Sequence, residues 1–163
     1  MALDAGLQRA AEYAPRYVTV TGGEPLAQRG CVPLLAALCD AGYRVSLETS
    51  GALDVSGVDP RVTKVMDFKT PASGEAAKNR LENIAYLGAG DQVKFVICDE
   101  ADYLWARDRI SELGLSARFE ILLSPALGQQ NPSELADWII RDRLQVRFQI
   151  QLHKFLWGDV AGK

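Results

Sequence analysis

The sequence predicts an α/β fold: an incomplete (βα) barrel of mostly parallel strands with helices on the outside. Three observations predict it. Short β-branched runs alternate with amphipathic stretches along the chain. Polar residues follow the ends of most apolar runs, as at the ligand-binding edge of parallel sheets. A helix comes first and leads directly into a strand, which is the order that remains when one leading strand and its loop are removed from such a barrel; a native start with a helix gives the same order.

The apolar periodicity gives the elements in order. Strands are predicted over Tyr17–Val20, Tyr43–Leu47, Val62–Met66, Gln92–Ile97, Phe119–Leu123 and Val146–Leu152. Helices are predicted over Leu3–Tyr13, Cys31–Ala41, Gly74–Tyr86, Ala101–Leu113 and Pro132–Arg141. The last helix has the clearest start, because Asn131 can cap it, Pro132 suits its first turn and Glu134 faces the positive end of its dipole.

Composition limits the class of protein. The 163 residues suit one domain, spanning 1–163. The net charge is −3 and no stripe of Lys or Arg is present, which argues against nucleic-acid binding. The apolar stretches are too short for a membrane span and the first residues do not resemble a secretory signal, so we expect a cytoplasmic protein. Cys31, Cys39 and Cys98 form no C-x-x-C pair, so they are interpreted as small core residues.

The segment from Thr21 to Pro25 has the most informative strand end. Gly22 and Gly23 allow the backbone to approach a ligand closely, and Pro25 biases Glu24 toward an extended conformation. A plain tight turn would also use these glycines, but the polar residues at other strand ends favour a ligand site. Those residues are Glu48, Ser50, Asp67, Lys69, Ser124, Pro125, Gln151 and His153.

Two of these positions have two interpretations each. Asp67 and Lys69 lie two residues apart on a strand, so their side chains share a face. They predict either a pair of ligand contacts or a local ion pair. His153 is the only histidine; such a residue is more often structural, although the strand-end position and the neighbouring Gln151 favour a site.

Together these segments resemble the 7-carboxy-7-deazaguanine synthases, a family of radical S-adenosylmethionine enzymes. The resemblance extends from about Tyr13 onward. The GGEP motif alone identifies only the superfamily, whereas its combination with the other four segments is specific to this family. The matching segments are Tyr17-Val-Thr-Val-Thr-Gly-Gly-Glu-Pro25, Val45-Ser-Leu-Glu-Thr-Ser-Gly51, Val65-Met-Asp-Phe-Lys69, Gln92-Val-Lys-Phe-Val-Ile97 and Gln149-Ile-Gln-Leu-His-Lys-Phe-Leu156.

The resemblance implies a radical S-adenosylmethionine fold and a lyase activity in queuosine and deazapurine biosynthesis. In this family a reduced 4Fe-4S cluster cleaves S-adenosylmethionine, and the resulting radical abstracts a hydrogen from 6-carboxy-5,6,7,8-tetrahydropterin. Ring contraction with loss of ammonia gives 7-carboxy-7-deazaguanine. Mg²⁺ assists in some members. The implied partners are the pterin substrate, a reductant protein such as flavodoxin and a second copy of the chain in a homodimer.

The resemblance also assigns roles to residues. Gly23 matches a glycine at the methionyl end of S-adenosylmethionine, and Thr21 matches a substrate contact. The segment Asp67, Phe68 and Lys69 matches the ribose side of the cofactor. The segment Ser124, Pro125, Ala126 and Leu127 matches the adenine side. Less specific pocket-lining roles are implied for Gly22, Glu24, Glu48, Ser50, Gln151 and His153.

The chain departs from the family at its start. The resemblance predicts a first strand, a cluster-binding cysteine loop and a first helix before Leu3, and the sequence has no such cysteine triad. We therefore expect the chain as written to be inactive without that segment, which also carries the family's cluster and Mg²⁺ ligands. A non-catalytic remnant that binds nucleosides or dimerises is the alternative. An unrelated βα sugar-phosphate or nucleotide enzyme, with GGEP only a turn, fits fewer segments.

Overall fold

The computed structural model describes residues 3–158 and residue 160. The chain forms two compact units. The first unit contains the residues up to Met66 together with Arg80–Asp91, and the second contains Asp67–Asn79 together with the residues from Gln92 onward. No helix in the described part of the chain is both long and apolar enough to cross a membrane.

The first unit contains two α-helices and three parallel strands. In chain order they are α1 (Leu3–Tyr13), β1 (Tyr17–Val20), α2 (Cys31–Asp40), β2 (Arg44–Thr49) and β3 (Thr63–Asp67). The strands lie in the order β1-β2-β3, with Thr19 opposite Ser46 and Thr49 opposite Met66. Alternate residues of β2 are buried, as expected for a strand with one face in the core. Leu35 and Leu38 of α2 pack against that face.

The second unit repeats this arrangement with three further strands. Its elements are β4 (Gln92–Ile97), α3 (Glu100–Glu112), β5 (Glu120–Pro125), α4 (Pro132–Arg141), β6 (Arg147–Phe148) and α5 (Leu152–Trp157). β4 and β5 pair in parallel over their whole lengths, whereas β6 pairs with β5 only at Leu122 and Leu123. β5 is buried on both faces from Ile121 to Pro125, which is typical of a parallel strand between helices.

The predicted α/β fold is confirmed, since every strand pairing described within the units is parallel. The predicted bounds of α1 and α4 agree with the structure. The start of α4 forms for the expected reason: the side chain of Asn131 accepts a hydrogen bond from the Ser133 N–H, and Pro132 occupies the first turn.

The predicted helix over Gly74–Tyr86 is wrong. The region contains two short 3-10 segments instead, Ala76–Lys78 and Leu81–Tyr86, and a third, Pro71–Ser73, lies just before it. Gly74 has φ of 70°, a left-handed conformation that no α-helix continues through. Asn79 and Asn83 bond to backbone groups of loops rather than facing solvent from a helix. Asparagine favours such local backbone bonds over helix interiors.

Two strand predictions in the carboxyl-terminal half of the chain also need correction. The predicted strand Val146–Leu152 is only Arg147–Phe148, and Leu152 begins helix α5, so Gln151 precedes a helix and His153 lies on it. β6 pairs with only two residues of β5. Helix α5 ends just before Gly158, which has φ of 69°. Ser124 and Pro125 lie within β5 rather than after it.

Candidate functional site

The carboxylate of Glu24 holds together a polar cluster in the first unit. Its oxygens accept hydrogen bonds from the Thr49 hydroxyl at 2.9 Å, the Ser50 N–H at 2.8 Å and the Leu26 N–H at 3.1 Å. The Ser50 hydroxyl donates to it as well. Both oxygens are therefore occupied, and the side chain cross-links the chain that follows β1 to the end of β2. We name this group the Glu24 clasp.

The two glycines before Glu24 are required by backbone conformation. Gly22 has φ of 101° and Gly23 has φ of 45°, values that disfavour any residue with a Cβ atom. A Cβ built on either glycine would meet no heavy atom of the described residues within 4 Å. The turn therefore has open space beside its backbone, and its N–H and C=O groups are accessible to a polar ligand.

The other predicted residues of the first unit lie nearby but have separate surroundings. Thr21 is exposed and lines an apolar cavity of about 490 Å³ formed by residues of α1, β1 and α2. Glu48 is half-buried on β2. Ser50 belongs to the Glu24 clasp. Cys31 is buried at the start of α2, where burial and then the charge of Glu24 raise the pKa of its thiol.

The second unit has a cavity of about 310 Å³ at the carboxyl ends of its strands. Small-molecule sites usually have volumes of this order. The lining combines charged, amide, hydroxyl and apolar groups, and it brings together predicted residues from three separate segments. The residues are Asp67, Phe68, Lys69, Thr70, Ser73, Val96, Cys98, Ala126, Leu127, Gln129, Gln151 and Lys154. We call it the Asp67 cavity.

Asp67 is the most unusual group of this cavity. The Lys69 ammonium donates to its Oδ2 at 2.7 Å, so the predicted ion pair forms. Its Oδ1 is buried and has no hydrogen-bond partner among the described residues. Buried carboxylate oxygens are normally hydrogen-bonded, and each exception calls for an explanation. A ligand hydroxyl or amine that donates to Oδ1 would supply the missing bond.

A second carboxylate, Asp102, supports one wall of the cavity. It is 1% exposed and lies in the first turn of α3. It accepts hydrogen bonds from the Thr70 hydroxyl at 2.8 Å, the Ala72 N–H at 3.0 Å and the Cys98 N–H at 3.2 Å. Burial, and then the charge of Asp102, raise the pKa of the Cys98 thiol. Asp102 therefore fixes the chain after β3 to the chain after β4.

Three predicted residues of the second unit lie outside the cavity lining. Ser124 is 1% exposed, and its hydroxyl is the second buried polar atom without a partner in the described part of the chain. Pro125 lines an adjacent cavity of about 130 Å³, together with Ala126, Leu127 and Gln151. His153 is exposed on α5.

The sequence predictions missed several lining residues. Thr70 directly continues the polar segment that follows β3, and Cys98 follows β4, so the strand-end rule could have found both. Lys154 is the neighbour of His153. Ser73, Val96 and Gln129 carry no comparable signal, since nothing in their spacing marks them.

The residues present fit only part of the cofactor set that the resemblance implies. A mixed lining, with apolar side chains beside an unpaired carboxylate oxygen, suits the adenosyl part of S-adenosylmethionine. Among residues 3–158 and 160, no group of three or more His, Cys, Asp or Glu residues could hold a metal ion. Cys31 and Cys39 lie at opposite ends of α2. These residues therefore do not fit a 4Fe-4S cluster or Mg²⁺.

A larger cavity, of about 540 Å³, lies at the amino end of β3 in the first unit. Its polar centre is the buried ion pair of Lys64 and Asp91, whose atoms are 2.9 Å apart. Asp91 also accepts from the Lys64 N–H at 2.6 Å and the Gly88 N–H at 2.8 Å. Both carboxylate oxygens of Asp91 are therefore occupied by donors of the protein itself, unlike those of Asp67.

Comparison with known proteins gives sequence relatives of one kind. No family model matches the chain. The chain is 44% identical over 164 residues to the 7-carboxy-7-deazaguanine synthase of Chlorobaculum tepidum, a match that covers 99% of this chain and 74% of that protein. It is 40% identical over 154 residues to the enzyme of the same name from Koribacter versatilis, covering 86% of this chain and 68% of that protein.

Solved structures share the fold. QueE from Escherichia coli matches with a TM-score of 0.72 at 19% identity, and the match covers 93% of this chain and 64% of the QueE chain. Streptococcus suis SuiB bound to S-adenosylmethionine matches with a TM-score of 0.57 at 14% identity, over 89% of this chain and 40% of that chain. These identities show the fold alone, whereas the two sequence relatives are matched over more than two thirds of their length. The chain therefore belongs to the 7-carboxy-7-deazaguanine synthase family.

Proposed function

We propose that this protein acts in the ring contraction of 6-carboxy-5,6,7,8-tetrahydropterin to 7-carboxy-7-deazaguanine, and that the Asp67 cavity holds the adenosyl part of S-adenosylmethionine. The observation that carries the cavity assignment is the buried Oδ1 of Asp67, which lacks a partner among the described residues while Oδ2 is paired with Lys69. When bound, S-adenosylmethionine supplies the 5′-deoxyadenosyl group that abstracts a substrate hydrogen in this family.

The chemistry of the cavity supports an adenosyl group. Val96 and Leu127 give apolar surface for a purine, whose faces are poorly hydrated. Asp67 Oδ1 can accept a hydrogen bond from a ribose hydroxyl, and a charged acceptor makes such a bond stronger than a neutral one would. The Lys69 ammonium donates to Oδ2 and so restrains the orientation of the carboxylate.

The remaining predicted residues have proposed roles of their own. The open space beside Gly22 and Gly23 supports backbone contacts from Gly23 to the methionyl end of the cofactor. Thr21 is proposed to contact the substrate. The buried Ser124 hydroxyl without a partner supports a role for the segment from Ser124 to Leu127 beside the adenine. The use of a reductant protein, the use of Mg²⁺ and the formation of a homodimer, all implied by the resemblance, stay predictions.

Calorimetry tests the cavity assignment. We titrate the 163-residue chain with S-adenosylmethionine, S-adenosylhomocysteine and adenosine. All three share the adenosyl group, so we expect each to bind and adenosine to compete with the other two. Failure of adenosine to bind at millimolar concentration would overturn the assignment.

A second candidate function is nucleoside binding without catalysis. The observation that favours it is that the described cysteines do not fit a cluster: Cys31 and Cys39 lie at the two ends of one helix. Anaerobic reconstitution of the chain with iron and sulfide, followed by absorbance, EPR and a turnover assay, separates the two candidates. The second predicts no stable cluster and no 5′-deoxyadenosine. A stable cluster with stoichiometric 5′-deoxyadenosine would exclude it.

A further inference from the structure

We propose that Asn79 is a positioning residue for the Asp67 cavity, acting through Lys69; this inference rests on the proposed function. The Asn79 side chain forms two hydrogen bonds with a single residue. Its Oδ1 accepts from the Lys69 N–H at 2.8 Å, and its Nδ2 donates to the Lys69 C=O at 2.8 Å. The orientation of the amide is fixed, because a flipped amide would set donor against donor and acceptor against acceptor.

These two bonds extend a run of backbone pairing within the second unit. The Phe68 N–H donates to the Lys94 carbonyl at 2.7 Å, which is backbone pairing of the ordinary kind. One residue later, the Asn79 amide takes the place of a neighbouring strand and satisfies both backbone groups of Lys69. Both backbone polar groups of Lys69 are thereby hydrogen-bonded, as they would be within a sheet.

The consequence reaches the ligand-binding oxygen in two steps. A fixed Lys69 backbone limits the positions that its ammonium can reach, and the ammonium lies 2.7 Å from Asp67 Oδ2. With Oδ2 engaged, the carboxylate cannot rotate without losing that ion pair, so Oδ1 remains the oxygen available to a ligand donor. Groups held in place before binding give more affinity than groups that must be ordered by the ligand.

Asn79 also closes the loop that begins at Lys69. At the start of this loop, Asp102 holds Thr70 and Ala72. Ser73 donates its hydroxyl to the Thr70 carbonyl at 2.6 Å, and Gly74 turns the chain with φ of 70°. Because these contacts do not involve Asn79, the loop keeps much of its structure when the Asn79 side chain is removed. The main loss is the fixed position of Lys69.

The test compares adenosine with 2′,3′-dideoxyadenosine, which lacks both ribose hydroxyls. A hydrogen bond to a charged acceptor predicts that the unaltered chain prefers adenosine by about tenfold or more. In Asn79→Ala we expect this preference to fall to about threefold or less, because Asp67 is no longer held in place. Affinity for the dideoxy compound should change little. A general loosening of the fold would weaken both ligands alike.

Two further variants make the test decisive. Asn79→Asp keeps the acceptor for the Lys69 N–H but loses the donor to its C=O, so an intermediate preference is expected, and this variant decides if Asn79→Ala fails to fold. Asn131→Ala is the matched control: it removes the cap of α4, so its urea midpoint should fall while the adenosine preference stays unchanged.

Each outcome has one meaning. If the unaltered chain does not bind adenosine, the cavity assignment fails and the inference fails with it. If the unaltered chain binds and prefers adenosine, while the folded Asn79 variants keep the full preference, only the role of Asn79 is overturned. A reduced preference in the Asn79 variants that is matched by Asn131→Ala would also overturn it.

Discussion

Two carboxylates lie near strand ends, Glu24 in the first unit and Asp67 in the second, and they differ in how many of their oxygens accept a hydrogen bond. Glu24 accepts hydrogen bonds from Thr49, Ser50 and Leu26, and neither of its oxygens lacks a donor. Asp67 has one oxygen paired with Lys69 and one buried oxygen without a partner in the described chain. Their positions near strand ends do not distinguish the two carboxylates. They differ in the number of hydrogen-bond donors that the protein itself supplies to each.

The difference separates the carboxylates that the protein itself satisfies from the one for which we propose a ligand-binding role. Asp91 and Asp102 resemble Glu24, since each accepts several bonds from backbone and side-chain donors. A buried acceptor left without a donor costs about 1–3 kcal/mol of stability. Among these four carboxylates only Asp67 bears that cost, at the oxygen to which, in our proposal, a ligand would donate.

The largest expected effect comes from removing Glu24, the carboxylate whose oxygens are both hydrogen-bonded. Glu24→Ala removes the acceptor for two backbone N–H groups and two hydroxyls at once. We expect a loss of about 2–4 kcal/mol in the free energy of unfolding, measured by urea titration. Glu12→Ala is the control, because Glu12 is 57% exposed in a surface pair with Arg9 and should cost about 0.5 kcal/mol or less. Equal losses in the two variants would mean that the Glu24 clasp is not structural.

The next effect concerns the unsatisfied carboxylate. Asp67→Asn keeps an oxygen for the Lys69 ammonium but places an NH₂ donor where a ligand donor must bind. We expect affinity for adenosine to fall about tenfold to a hundredfold in calorimetry, with an unfolding free energy changed by about 1 kcal/mol or less. Asp137→Asn, at an exposed position of α4, should change neither quantity. A variant that is destabilised like Glu24→Ala yet binds normally would reverse the roles we assign.

Local patterns were enough to predict much of the fold. The parallel α/β arrangement follows from alternating periodicities, and α4 follows from the cap at Asn131 and the proline after it. Periodicity failed over Gly74–Tyr86, where side chains such as Asn83 bond to the loop after β2 instead of extending a helix. It failed again after Phe148, because a two-residue edge strand has too few partners for its sequence to show where it ends.

The lining of the Asp67 cavity was predictable where it consists of strand ends, and it was missed where it depends on tertiary contacts. Asp67, Phe68 and Lys69 follow or end a strand, and they line the cavity together with Ala126 and Leu127. Whether Lys69 would meet a ligand or Asp67 depends on side-chain geometry that spacing does not contain. The role of Asn79 depends on a loop closing over ten residues, and no periodic pattern marks such a closure.

The smallest effect tests the satisfied carboxylate of the second unit, Asp102, through its neighbour Cys98. Burial is the larger cause that raises the pKa of the Cys98 thiol, and the charge of Asp102 is the next. The thiolate is the species that iodoacetamide alkylates, so a raised pKa makes Cys98 slow to react at about pH 8. Asp102→Asn removes the charge but not the burial. The pKa should therefore fall part of the way, and alkylation at about pH 8 should become faster while remaining slower than that of an unfolded peptide.

Peptide mass spectrometry follows the alkylation of Cys98 separately from that of Cys39. Cys39 is the internal control, because its pKa is raised by burial and then by the charge of Asp59, not by Asp102. Faster alkylation of both cysteines would indicate general loosening of the protein, and no change at Cys98 would show that Asp102 does not act on this wall of the cavity.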